Sequence, residues 1–141
     1  MKRISAFVVG AIMMMPFIVK AQEADSSESG AKIYLDIVSR YVWRGADYGN
    51  APAFQPTLAY SWKGIEIGVW GSYNFTGDYS EVDPYLKFSL KGFSLIFTDY
   101  FAYRDTQSVI PSYFDYDTKK TNHTLEAILQ WEGPEKFPFT V

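Results

Sequence analysis

Eight charged side chains stand out because each sits opposite an apolar residue in a two-residue alternation. They are Lys32, Asp36, Arg40, Glu66, Glu81, Asp83, Lys87 and Glu126. Side chains two apart on an extended chain share a face, so these charges line one side of several strands. Both signs occur. Two kinds of chemistry follow: a hydrated passage whose charges act on small solutes, or a salt-bridge network that fills a narrow interior. Asp36 and Arg40 share a face but stand too far apart on one strand to pair without a neighbouring strand. The balance of signs implies no ion preference.

Other reactive groups are sparse. His123 is the sole histidine. It opens a strand near one rim, with Ser72, Ser80 and Asn74 at similar height on other strands. Hydrolysis needs a nucleophile, a base and an orienting group within reach. No nucleophile motif surrounds any of these serines, so the chain reads as a non-enzyme and His123 as a solvated rim residue. Asp115 and Asp117 lack the spacing of a calcium loop, there is no cysteine, and no glycine-rich phosphate loop follows a strand. No metal site or cofactor is expected. Arg44, before Gly45 in a polar loop, is a candidate loop anchor, capping carbonyls or binding an anionic headgroup. The loop Tyr113–Asp117 reads as a surface-binding tip or a fold over the mouth.

The elements that must carry these groups are strands. From Phe54 to Phe75, Phe54, Pro56, Leu58, Tyr60 and Trp62 alternate with Gln55, Thr57, Ala59 and Ser61. After Lys63-Gly64, Ile65, Ile67, Val69, Gly71, Tyr73 and Phe75 alternate with Glu66, Gly68, Trp70, Ser72 and Asn74. Period two is strand, and Lys-Gly between two such runs is a tight hairpin. Similar runs cover 33–43 (broken only at Ser39), 82–90, 93–103 and 123–131, and 137–141 starts another. Asp99 interrupts the apolar face of 93–103; a β-bulge near Thr98-Asp99 turning it inward and a rim position are the two readings. The pattern P-x-L-x-aromatic-S-apolar-K-G occurs at 56–64 and again at 84–92, with a worn copy at 125–133, so the repeating unit is a hairpin.

Three features point to lipid. The strands are about 9–11 residues long, what a tilted strand needs to cross a bilayer. Long connections (43–54, 75–82, 103–123) alternate with short ones (63–64, 91–92, 132–136). Aromatics cluster at strand ends: Tyr41, Trp43, Tyr73, Phe75, Phe101 and Tyr103 at one rim, Tyr60, Trp62 and Trp131 at the other. This is the layout of an outer-membrane barrel with its aromatic girdles; a soluble sandwich predicts neither the loop asymmetry nor the sorting of aromatics.

The 141-residue chain opens with Lys2-Arg3, an apolar run to Val19 and a small residue at Ala21, the layout of a secretory signal. Residues 1–21 are expected to be removed and 22–31 to form a flexible periplasmic leader. Losing Lys2, Arg3 and Lys20 from 13 basic residues against 16 acidic ones leaves a charge of −6, which argues against nucleic acid as a partner. Residues 32–141 are then expected to be the N-terminal part of an all-β, antiparallel up-and-down transmembrane barrel, incomplete at about six strands plus the start of a seventh. Its expected partners are outer-membrane lipid, small solutes and the barrel-assembly machinery, and its expected place is the outer membrane of a Gram-negative-type bacterium.

Tyr41-Val42-Trp43-Arg44-Gly45, Pro52 to Gln55, Tyr60, Gly68-Val69-Trp70 and the stretch from His123 to Pro138 (HTLEAILQWEGPEKFP) together resemble the TorF-type outer-membrane porin family. The resemblance spans nearly all of the mature chain. It implies a barrel and says little about substrate. Members of that family are longer, with further hairpins and an aromatic near the C-terminus.

Overall fold

The computed structural model describes residues 29–107, 111–134, 136, 138 and 140–141. The expected signal segment and most of the expected leader lie outside these residues. Six long strands form one antiparallel sheet: β1 (Gly30–Val38), β4 (Ala53–Trp62), β5 (Ile65–Asn74), β6 (Tyr79–Leu90), β7 (Phe93–Arg104) and β8 (His123–Trp131). Their order is β1-β4-β5-β6-β7-β8, an up-and-down meander with an edge at β1 and an edge at β8. Among the described residues the sheet is all-β and is not closed on itself. Beyond β8 the chain turns back, and Val141 exchanges two backbone hydrogen bonds with Trp131, beside a bridge between Glu132 and Thr140.

Alternation sets the two faces. Pairing β4 to β5 in the register Leu58↔Val69 and Tyr60↔Ile67, and β5 to β6 as Ile67↔Leu86, puts apolar residues of neighbouring strands side by side. That face is bare: Ile33, Leu35, Leu58, Ile67, Leu90, Leu125 and Leu129 are all exposed. The opposite face is where side chains are covered. Ala53, Gln55, Ala59, Ser61, Ser72, Asn74, Asp83 and Ser94 are buried there. A sheet with its small and polar side buried and its large apolar side exposed is the inverse of a water-soluble half-sandwich, whose buried face is the apolar one.

Two connections at one end are two-residue turns. Lys63 and Gly64 have φ of 48° and 81°, and Lys91 and Gly92 have φ of 51° and 82°. Positive φ at both central residues is the type I′ geometry that matches strand twist. A Cβ on Gly64 would lie 2.7 Å from the Ser89 carbonyl oxygen, an atom fixed in the β6 backbone. Gly64→Ala is expected to lose about 1–2 kcal/mol from the left-handed conformation alone, with a further loss from this contact. Chemical denaturation in detergent checks it; Lys63→Ala serves as the control outside that contact.

Four expectations are corrected. The first strand does not run to Trp43; it stops at Val38, and Ser39-Arg40 bend the chain away from the sheet. Residues 42–47 then form a separate small hairpin, β2 (Val42–Trp43) paired with β3 (Ala46–Asp47). The strand expected to begin at Val82 begins at Tyr79, and β1 already includes Gly30 and Ala31 from the expected leader. Finally, there is no bulge at Asp99. The β6–β7 register is the same on both sides of it, Val82↔Phe101 and Tyr85↔Thr98, and β7–β8 pairs Asp99 directly with Leu125. Asp99 stays on the apolar face.

Candidate functional site

The polar face and the β2–β3 hairpin build one site. Arg44 and Gly45 form the hairpin tip with φ of 48° and 80°, the same positive-φ pair seen at the two Lys-Gly turns. The hairpin leaves β1, at one edge of the sheet, and Arg44 meets Glu126 on β8, at the other edge. Its guanidinium donates to both carboxylate oxygens at 2.8 and 3.1 Å. Five strand spacings, about 24 Å in a flat sheet, separate those edges. The hairpin closes that gap by lying across the curled, polar side of the sheet. Tyr100 of β7 donates a third hydrogen bond to Glu126 at 2.8 Å. The Glu126 carboxylate raises the Arg44 pKa above its ordinary value.

Aromatic packing seats the base of the hairpin. Tyr41 lies 5.2 Å from Tyr48, 5.4 Å from Trp70 and 6.1 Å from Tyr79, centroid to centroid. Tyr48 lies 5.6 Å from Tyr79, and Arg104 stands 5.0 Å over the Tyr79 ring. Such pairs add about 0.5–1.5 kcal/mol each beyond area burial. Burial, and then the neighbouring Glu81, push the Tyr41 hydroxyl pKa up. Tyr41 therefore belongs to the interior and not to a rim girdle. Trp43 moves with it: it sits on the hairpin, with Arg44 5.2 Å over its ring. The other aromatics of the expected girdles stay on the apolar face. Tyr60, Trp62, Tyr73 and Phe75 are exposed there, and Phe101, Tyr103 and Trp131 share it by register.

The remaining charges sort into two ends of the polar face. Toward the two-residue turns, Glu66 accepts from Lys32 at 2.8 Å, the Ser61 hydroxyl at 2.6 Å and the Tyr85 hydroxyl at 2.9 Å. Lys87 is its direct cross-strand neighbour. Lys32 reaches Glu66 past the whole of β4, which is possible because β4 offers only Ala59 and Ser61 there. The Tyr85 ring covers Gly68, where a Cβ would fall 2.5 Å from the ring carbon bearing the hydroxyl; glycine opposite an aromatic is a known strand pairing. At the hairpin end, Arg40 pairs with Asp47 at 3.2 Å and with Asn50, within the hairpin segment itself. Asp36 faces the same side from β1, opposite Gln55. Glu81 accepts from Tyr79 at 2.8 Å. Asp83 is only 5% exposed, and its Oδ1 has no hydrogen-bond partner.

Between the hairpin and the sheet lies a cavity of about 440 Å³. Val38, Arg40, Tyr41, Val42 and Trp43 line one side, and Gln55, Trp70, Asp83, Tyr85, Thr98 and Tyr100 of four strands form its floor.

The histidine has a different setting from the one expected. His123 is on the apolar face, yet its side chain is 2% exposed. Its Nδ1 lies 2.8 Å from Asp99, its Nε2 lies 2.6 Å from the Tyr113 carbonyl, and the Tyr116 ring stacks on it at 4.2 Å. Residues from the long loop thus cover a polar pair that would otherwise face outward. Ser72 and Asn74 are buried on the opposite face of the sheet, so these two candidate partners are not brought together with His123; Ser80 shares its face from β6, with β7 between them. Among the described residues no group of three or more His, Cys, Asp or Glu side chains is arranged to hold a metal ion.

Comparison with known proteins adds no relative: no family model, curated protein or solved structure matches this chain.

Proposed function

We propose that the protein is a porin-like barrel of a bacterial outer membrane, passing small solutes passively through a lumen that the β2–β3 hairpin narrows. One observation carries this reading. The long strands turn a bare apolar face outward, broken by Asp99 of β7, while Lys32, Glu66 and Glu126 are hydrogen-bonded on the other side. In water that arrangement wastes the hydrophobic effect; in a bilayer it is the expected one. The connections support it, with two-residue turns at one end and the long segments 39–52 and 105–122 at the other. The resemblance to the TorF-type porin family agrees. Lys32, Asp36, Glu66, Lys87 and Glu126 would line the passage from the strands, and Arg40 from the hairpin.

A second reading is favoured by the hairpin itself. Arg44 on Glu126 and the stack of Tyr41, Tyr48, Trp70 and Tyr79 occupy the interior, as in a non-conducting structural or surface-binding barrel. Single-channel recording in planar bilayers separates the two. Protein extracted from its own outer membrane is expected to give discrete current steps, and Glu126→Gln, which releases Arg44, to enlarge or destabilise them. Silence at every voltage, from wild type and variant alike, removes the porin reading.

A further inference from the structure

The cavity under the hairpin is lined by five aromatic rings, a single buried carboxylate and Arg40, whose charge Asp47 neutralises. Tyr41 and Trp43 stand on one side, Trp70, Tyr85 and Tyr100 on the other. Asp83 is held among them by β6, 5% exposed, with Oδ1 unpaired. Buried polar atoms normally have partners, and an unpaired carboxylate oxygen inside an aromatic box invites a ligand. The two arginines nearby are already engaged, Arg40 with Asp47 at 3.2 Å and Arg44 with Glu126 at 2.8 Å. Neither is paired with Asp83.

We propose that this cavity binds a small organic cation, a quaternary or alkyl ammonium, between the aromatic rings and the Asp83 carboxylate. The faces of tryptophan and tyrosine rings attract cations lying within about 6 Å of their centres. The volume of about 440 Å³ falls in the ordinary small-molecule range of roughly 300–1,000 Å³. A hard metal cation is a poor match. It wants six or more oxygens for calcium, or an octahedral set for magnesium, and the lining holds no second carboxylate: Asp83 shares it with Gln55, Thr98, the hydroxyls of Tyr41, Tyr85 and Tyr100, and Arg40, whose guanidinium Asp47 already holds. The site does not depend on conduction, because the cavity lies between hairpin and sheet whether or not the lumen carries current.

Trp43 and Trp70 report on the cavity directly. The full-length protein in detergent micelles, at constant ionic strength, is titrated with choline while tryptophan fluorescence is read. The neutral carbon analogue 3,3-dimethylbutan-1-ol is run in parallel. Saturable quenching by choline is expected, with at least a tenfold weaker response to the alcohol. Asp83→Asn, which keeps the shape and removes the ionisable acid, is expected to raise the Kd at least tenfold. Should that variant not fold, Trp43→Leu removes one ring from the exposed roof and is expected to weaken binding severalfold. Quenching that does not saturate, equal responses to the two probes, or an unchanged Kd in the variants overturns the proposal. Bilayer currents from the same sample are read separately, so loss of this site leaves the porin reading standing.

Discussion

Leu58→Arg is expected to cost about 2–4 kcal/mol of folding stability in lipid, the range for a basic residue at bilayer mid-depth on the outer face of a barrel. Leu58 sits in the middle of β4, 54% exposed, beside Val69 of β5. Its exposure makes the test decisive. On a protein surface facing water, an exposed leucine tolerates arginine within about 0.5 kcal/mol. Only a hydrocarbon surrounding turns the same substitution into a large loss. Urea unfolding of protein folded into vesicles measures it, with Ser80→Arg as a comparison on the same face near the rim, where the penalty falls to about 0–1 kcal/mol. Equal effects at the two positions would mean that the apolar face does not meet lipid.

Tyr79→Ala is the largest loss expected on the inner side, about 3–5 kcal/mol by the range for large aromatic truncations. Tyr79 is 2% exposed and is the largest side chain of the sheet buried so completely. It touches both ends of the hairpin segment through Tyr41 and Tyr48, stands beneath Arg104, and donates to Glu81. Removing the ring withdraws the floor on which the hairpin rests. Two readouts should move together: lower stability in urea, and protease cleavage within 39–52 under conditions where the strands stay intact. Tyr79→Phe separates the ring from its hydroxyl. It should keep the hairpin seated and lose only the hydrogen bond to Glu81, net about 0.5–1.5 kcal/mol or somewhat more because the acceptor is charged.

Much of the sheet can be read in the chain because a strand's side-chain period is local. Leu58 and Ile67 declare one face and Gln55, Glu66 and Ser72 the other without any knowledge of partners. Lys63-Gly64 and Lys91-Gly92 declare their turns because only a few residue pairs adopt positive φ. The hairpin escaped that logic although its signals were present. Arg44-Gly45 is the same kind of pair, a cation followed by glycine. Ser39 was the one break in the alternation of the first strand. The apolar stripe continued through Tyr41 and Trp43, however, and alternation cannot distinguish an aromatic facing outward from one folded over the polar side. What decides is a contact between Arg44 and Glu126, 82 positions apart, which no local pattern contains. The bulge expected at Asp99 fails for a related reason. Its place on the apolar face becomes tolerable only because His123, Tyr113 and Tyr116 cover it, and two of those three come from a loop with no periodic signal.

That long sequence separation also orders events in time. Residues 39–52 are made before β4 through β8, yet their anchor on Glu126 comes into existence only with β8. Closing so large a loop is entropically unfavourable until the intervening strands have paired and shortened it. The hairpin therefore seats only after β8 has joined the sheet, over a polar face that the intervening strands have already assembled. Before that moment the polar face is uncovered, and an arrested intermediate would leave Glu126 without Arg44 and Tyr79 without the rings of Tyr41 and Tyr48.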